Sequence, residues 1–393
     1  MNWPIDIVLG LALLGYLVSG LRRGFVRSIG GLIGVIAGGV AAFYVVPLVG
    51  GLVPDQLWRL LASIGVAIAL VAVGGTIGSA IGRAIARNFD DTPLRFIDRV
   101  LGGAVNLVVT ALVISLLAAS VAPLGIPLLS QSVSDSVVIS AIDSLTPTPV
   151  QQFLARIRST AVKDTIPNIV EAFGGVTASP GVPNVDTSTD ALTAAATSVV
   201  RITGNAYACG QSQSGTGFVV AKNRIMTNAH VVAGVSQPVV QIPGGGALAG
   251  RIVYFDPIDD LAIIAVSGLD APTLALSAPL TKGDDAVYDG YPFGGPFTTG
   301  PAQVLAVGSE NVEDIYNTST SPREVYTLAA DIQPGDSGGP LLTQSGKVAG
   351  VVFAKSAKTA QLGYAMTVAE LSPVATEATS LTARVASGHC SQG

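Results

Sequence analysis

Charge is scarce in this chain. Asp, Glu, Lys and Arg make up 12% of its 393 residues, about half the usual globular share. Apolar residues make up 49%, so part of the protein is expected to have lipid as its solvent. Basic clusters are missing too. Against 26 Asp and Glu stand 21 Lys and Arg, a net charge of -5, which excludes nucleic acid as a partner because that binding rests on cationic contacts to phosphate. Histidine occurs twice, as His230 and His389, and cysteine twice, as Cys209 and Cys390. So few nitrogen and sulfur donors argue against a protein zinc site, which takes three or four ligands; no metal or organic cofactor is implied. A Cys209–Cys390 bridge would close a loop of about 180 residues and stabilise the fold by up to about 5 kcal/mol in the chain-entropy model. It would require an oxidising compartment. Two unrelated buried thiols are the alternative.

The charge deficit is uneven. Four apolar stretches, approximately Ile5 to Gly20, Ile29 to Val46, Leu60 to Ile81 and Gly102 to Val121, each approach the roughly 20 residues a helix needs to cross a bilayer. The first differs from a signal peptide, which carries its positive charges ahead of the apolar core. Here Arg22, Arg23 and Arg27 follow it, and Arg83, Arg87, Arg95 and Arg99 follow the third stretch. By the positive-inside bias both connections face the cytoplasm, and both chain ends lie outside it. Gly30, Gly34 and Gly38, with Gly74, Gly78 and Gly82, form small-residue stripes that let helix backbones approach in lipid. Apart from Asp6 these spans hold hardly any ionisable residue, which argues for packing rather than a transport path. The segment DIVLGLALLGYLVSGLRRGFVRSIGGLIG resembles the colicin V production protein family, four-span bacterial membrane proteins, over roughly the first 120 residues.

From Ala122 to about Ala196 the chain turns polar and rich in turn residues, and reads as a tether. A helix starting at Thr148 interrupts it, with Val150, Phe153, Leu154, Ile157 and Ala161 on one face that is expected to rest on the membrane surface or on the following domain. The stretch VTASPGVPNVDTSTD has no periodicity and reads as mobile and open to proteolysis.

Beyond Ser198 short β-branched runs alternate with glycines: SVVRIT, GTGFVV, NRIMTN, PVVQI, GRIVYF, LAIIAV, AQVLAVG, EVYTLAA, KVAGVVFA and GYAMTV. This spacing predicts an all-β sandwich or a pair of barrels. Two features there carry chemistry. In QPGDSGGPLL, Ser337 stands among small residues in a tight turn, which exposes its hydroxyl and lets the amides of Gly335 and Ser337 converge where an oxyanion can sit. In IMTNAHVV, His230 ends a strand-like run and can act as the base that a serine needs to become a nucleophile. His389 lies beside Cys390 at the tail, where a surface position is expected. A buried carboxylate should orient the imidazole, and FDPIDDLAIIAV offers Asp256, Asp259 and Asp260.

Taken in order, NAHVV, DDLAII and GDSGGP resemble chymotrypsin-fold serine proteases of the HtrA type. That resemblance implies amide hydrolysis of protein substrates through an acyl-enzyme by His230, Asp260 and Ser337, with Asp259 as the runner-up acid. A protease fold that has lost its activity, serving a transporter or scaffold as a sensing or binding domain, is the competing class. Two departures stand out. HtrA enzymes usually carry Asn before the serine, whereas Asp336 follows the digestive trypsin-like pattern, in which that Asp pairs with a newly cut amino terminus. No IVGG-like processing site precedes Cys209, so Asp336 is expected to bind backbone or a basic side chain. The chain ends at Gly393 without the PDZ domain common in HtrA proteins, so selection of substrate is expected from barrel loops or the membrane domain. Asp331, six residues before Ser337, matches the position where trypsin-like enzymes attract Lys or Arg; a loop-capping Asp is the other reading. The whole arrangement is similar to the acid-resistance periplasmic serine proteases. That likeness implies a place in the plasma membrane with the protease in the periplasm or extracytoplasmic space, and a role in acid or oxidative stress, with cell-wall enzymes as substrates. The expected architecture is multi-domain: an all-α four-helix transmembrane domain at 1–122, a linker at 123–196, and an all-β two-barrel chymotrypsin-like protease domain at 197–393.

Overall fold

The computed structural model describes residues 3–52, 56–87, 94–121, 133, 136–161, 166–169, 176, 178–206, 211–244 and 246–391. The chain divides into two compact units, Asn2–Ser115 and Leu116–Gly393. The first is built of helices α1 (Trp3–Arg23), α2 (Phe25–Leu52), α3 (Gln56–Ala86) and α4 (Leu94–Val121). Each contains a segment long and apolar enough to cross a membrane: Ile5–Arg23, Phe25–Val49, Leu61–Ala86 and Leu94–Ala118. Large side chains such as Phe43 and Phe96 stay 76% and 75% exposed, as expected where lipid replaces a protein core. α2 and α3 pack through their glycine stripes. A Cβ on Gly34 would stand 2.1 Å from the Gly74 carbonyl oxygen, and one on Gly78 equally close to that of Gly30, so only glycine allows this approach.

The second unit opens with two short helices, α5 (Val137–Leu145) and α6 (Thr148–Ala161). Ser136 caps α5 by accepting from Ile139 N. Strand β1 (Asn168–Ile169) and helix α7 (Asp190–Ala196) follow. Next come β2 (Val199–Ala206), β3 (Gln211–Ala221), β4 (Arg224–Thr227), the one-turn helix α8 (Ala229–Val232), β5 (Val239–Gln241), β6 (Ala247–Asp256) and β7 (Leu261–Val266). These strands close a six-stranded antiparallel barrel in the order β2-β3-β4-β7-β6-β5. A second sheet contains β8 (Asp285–Gly290), β9 (Thr298–Glu313), β10 (Thr320–Ala329), β11 (Pro340–Leu342), β12 (Val348–Ser356) and β13 (Leu362–Thr367), with helix α9 (Val368–Glu377) after it. Its order is β1-β12-β11-β8-β9-β10-β13, and β12 also pairs with β13, so this ladder returns on itself as a second barrel. All ten predicted runs are strands, and the expected all-α membrane-type region followed by a two-barrel all-β domain is what the chain forms.

One part of the tether differs from expectation. Val176 and Val185 pack against the protease core, and Leu192 and Ala195 are buried within it; Ser179 Oγ donates to Gln361 Oε1 at 3.0 Å. Burial of these scattered apolar residues gives an aperiodic segment a fixed course along the barrels. On α6, Phe153 and Ile157 of the predicted face are 62% and 47% exposed. The helix meets the following domain through Ala155, which is buried, and through Arg156, whose guanidinium lies 5.3 Å over the Phe293 ring, so of the two expected resting places for the apolar face the membrane surface stays open to Phe153 and Ile157.

Candidate active site

His230 belongs to α8, which caps the end of β4, and all four residues of that turn are buried. The strand register carries β4 alongside β7, so the turn that leads into β7 comes back beneath α8. Asp260 occupies that turn at a φ of 54°, in the left-handed region where Asp is among the few tolerated side chains. Its backbone carbonyl accepts from Asn228 Nδ2 at 2.9 Å. Its carboxylate grips His230 twice: Oδ1 accepts from the His230 backbone N at 2.9 Å, and Oδ2 lies 2.8 Å from Nδ1. Both side chains are almost fully buried. The contact fixes the tautomer, with the proton on Nδ1 and the lone pair on Nε2 facing away from the acid.

Asp259, by contrast, makes no hydrogen bond to His230 among the described residues: its amide donates to Asp256 Oδ1 at 3.1 Å, and burial, followed by the Asp256 charge, raises its carboxyl. Arg323, 1% exposed, donates to the Glu313 carbonyl at 2.6 Å and stacks 5.7 Å from Phe353. Burial lowers its guanidinium, while Asp260 and then Asp259 raise it. It therefore contributes a positive field behind the acid. No sequence motif marks it, because it sits on β10, far along the chain from β7.

Ser337 and its turn come from the loop between β10 and β11. The main tie is Thr216 on β3. Its N donates to the Ser337 carbonyl at 2.8 Å, its Oγ1 donates to the Gly335 carbonyl at 2.7 Å, and Tyr291 N donates to the same Oγ1 at 3.0 Å. Thr227 Oγ1 in turn donates to the Thr216 carbonyl at 2.7 Å, which links the serine turn to the strand that ends at His230. A Cβ on Gly338 would lie 3.1 Å from Asn228 N, so the two chemical halves of the site meet backbone to backbone. Ser337 Oγ and His230 Nε2 are both buried and neither has a hydrogen-bond partner among the described residues. The Ser337 hydroxyl, which the tight turn was expected to expose, is instead buried and is not joined to the imidazole; catalytic hydrogen bonds often form only once substrate binds.

Gly335 has a φ of 97°, a conformation open to glycine and costly to other residues. A Cβ there would strike the Tyr291 carbonyl oxygen at 2.4 Å. Among the described residues, the amides of Gly335 and Ser337 donate to no acceptor, which leaves two N–H groups available beside the hydroxyl. Asp336 is 1% exposed and binds backbone: its Oδ2 accepts from Gln333 N at 2.9 Å, and its Oδ1 has no partner among the described residues. Burial pushes its carboxyl up to about 8, opposed by the Gln333 hydrogen bond. Nearby Asp289 is likewise pushed by burial to about 7, and neither of its carboxyl oxygens has a hydrogen-bond partner among the described residues. Of the two expectations for Asp336, backbone binding is what the fold provides.

The remaining predicted residues lie apart from this centre. Asp331 is exposed, with Oδ1 accepting from Gln333 Nε2 at 2.7 Å. His389 is exposed, its amide donating to the Tyr316 hydroxyl at 3.1 Å. Cys209 lies outside the described residues. The tail carrying Cys390 runs beside α8, where Gly234 N donates to the Ser387 carbonyl at 2.9 Å and Ser387 Oγ to the Val235 carbonyl at 2.8 Å. No group of three or more His, Cys, Asp or Glu suited to a metal is found among the described residues. Sequence reasoning missed Thr216 and Arg323. For Thr216 the run GTGFVV carried a signal, a polar residue between two glycines in an otherwise apolar strand.

Comparison with known proteins agrees with this geometry. Residues 215–351 match the trypsin-like peptidase domain family, and residues 5–147 match the colicin V production protein family. The serine protease Rv3671c of Mycobacterium tuberculosis H37Rv is 34% identical over 377 residues, covering 94% of each chain. The Do-like serine protease HtrB of Bacillus subtilis is 31% identical over 159 residues, which cover 39% of this chain and 35% of that protein. Among solved structures, the active form of the Rv3671c protease superposes with a TM-score of 0.51 at 36% identity, covering 57% of this chain and all of the other.

Proposed function

The chain belongs to the family of trypsin-like serine proteases that carry a colicin V-type membrane domain, and on that premise we propose that it is a membrane-anchored endopeptidase whose nucleophile is Ser337. The observation that carries this reading is the double grip of Asp260 on His230 next to a serine turn with two free amides. Substrate seats its scissile carbonyl against the Gly335 and Ser337 amides. Nε2 of His230 takes the Ser337 proton as Oγ attacks, and Asp260 stabilises the imidazolium that results. The two amides hold the tetrahedral oxyanion. His230 then returns the proton to the leaving amine, and water repeats the cycle on the acyl-enzyme. Asp331, exposed and already capped by Gln333, gives at most a weak preference for Lys or Arg, since a solvated carboxylate is screened.

The three-part division at 1–122, 123–196 and 197–393 assigns anchoring, tethering and hydrolysis to successive segments. The positive-inside bias puts the protease outside the cytoplasm, against the plasma membrane. A Cys209–Cys390 bridge fits that oxidising side. The sequence's likeness to acid-resistance periplasmic serine proteases supports a role in acid or oxidative stress, with cell-wall enzymes as the protein substrates. Digestion of an unfolded protein substrate tests the reading. The intact chain is expected to cleave it, and Ser337→Ala to leave it whole; equal cleavage by both would remove Ser337 from the mechanism. Binding without cleavage by the unmodified chain would favour a sensing domain.

A further inference from the structure

The membrane unit holds a cavity of about 920 Å³ between its helices, within the size range of small-ligand sites. Its lining changes character along its length. At one end Arg23, Arg27 and Arg83 converge, from the end of α1, the start of α2 and the end of α3, with Ser28, Ser79 and Asn106 beside them. Farther along, the walls are Val35, Ala67, Ile68 and Val71. The α3 lining from Ala67 to Arg83 spans about 24 Å at 1.5 Å per residue.

Three guanidinium groups sharing one cavity repel one another unless an anion joins them. None forms an ion pair among the described residues, and Arg27 Nε is buried without a hydrogen-bond partner. Asp98 accepts from Val26 N at 3.0 Å and does not line the cavity. Asn106 Nδ2 donates to Ser28 Oγ at 2.6 Å, which fixes the polar end against α4. Arginines in membrane-spanning protein usually have partners, and this cationic end lies on the face that the charge bias assigns to the cytoplasm, where the leaflet is anionic.

We propose that this cavity binds one anionic phospholipid, with its phosphate held by Arg23, Arg27 and Arg83 and an acyl chain lying along Val35, Ile68 and Val71. An apolar slot continuous with a cationic mouth fits a headgroup with a tail better than it fits free phosphate. The site is independent of the protease chemistry and rests on the membrane unit alone.

The test uses the full chain, reconstituted in phosphatidylcholine nanodiscs with a minor share of phosphatidylglycerol, then extracted in mild detergent for native mass spectrometry. Phosphatidylglycerol is expected to stay bound in preference to phosphatidylcholine. Arg23→Gln/Arg27→Gln/Arg83→Gln should weaken retention by about 100-fold, given the attraction of each cation near an anionic surface. The matching triple Lys variant should retain the lipid, which separates loss of charge from loss of fold. Arg95→Gln/Arg99→Gln, outside the cavity, should change nothing. Equal retention of both lipids, an equal loss in the Arg95/Arg99 variant, or displacement of the lipid by millimolar inorganic phosphate would each overturn the assignment.

Discussion

The two units of this protein bury their groups by opposite rules. In the barrels, side chains such as Phe218, Ile263 and Tyr364 are fully enclosed, and polar groups enter that interior mostly on the condition of a partner, as His230 does with Asp260. In the helical unit the bulky side chains face outward, and the close contacts are glycine backbones. Water drives the first arrangement, and the second suits helices solvated by lipid. Chemistry that needs aligned, desolvated polar groups therefore sits in the barrels, while the helices offer a surface for lipid.

The largest expected effect breaks the polar partnership. Asp260→Asn keeps the shape but can hold the wrong tautomer of His230, so kcat should fall about 10⁴-fold with the fold intact; a fall below tenfold in peptide hydrolysis would deny Asp260 its role. Next comes Gly335→Ala, which must shift away from the Tyr291 carbonyl and misplace an oxyanion donor. A loss of about 10²- to 10³-fold in kcat is expected, with KM little changed. The complementary change in the helical unit is Gly34→Leu. It should open the α2–α3 contact and expose both helices to limited proteolysis in detergent, yet leave hydrolysis of a soluble peptide within about twofold, because Gly34 and the catalytic residues belong to separate compact units.

The smallest effect concerns Asp336. Its folded carboxyl is raised to about 8, above the ordinary value, so the native state holds a proton that the unfolded chain releases near pH 4. Stability should fall as pH rises from about 4 to 8. Asp336→Asn removes that dependence: its melting temperature should match the unmodified protein near pH 4 and exceed it near pH 8, by about 2–4 °C per kcal/mol relieved. Parallel curves across that range would show that Asp336 stays ionised.

The sequence reveals most of the barrels because β-branched runs bounded by glycine have few other folds. It hides β8, DAVYDG, whose Asp289 reads as a turn residue until the neighbouring strands bury it, and β11, which is too short to show alternation. The contact of His230 with Asp260 is foreshadowed by the motifs that hold them, because the proposed chemistry requires rare residue types in fixed neighbourhoods. Thr216 and Arg323 are not, since a threonine on a strand and an arginine on another gain meaning only when β3 and β10 fold against the site. The docking face of α6 is hidden for the same reason: periodicity marks Phe153 and Ile157, but the contact depends on Gly295, where an added Cβ would lie 2.7 Å from Ala155 Cβ.

Reaction of the intact chain with a fluorophosphonate, mapped by peptide mass spectrometry, probes the nucleophile most directly. The hydroxyl of Ser337 should be modified rapidly, and the His230→Ala variant should lose that reactivity while remaining folded. Modification at another serine, or labelling of Ser337 that proceeds equally fast without His230, would contradict the account.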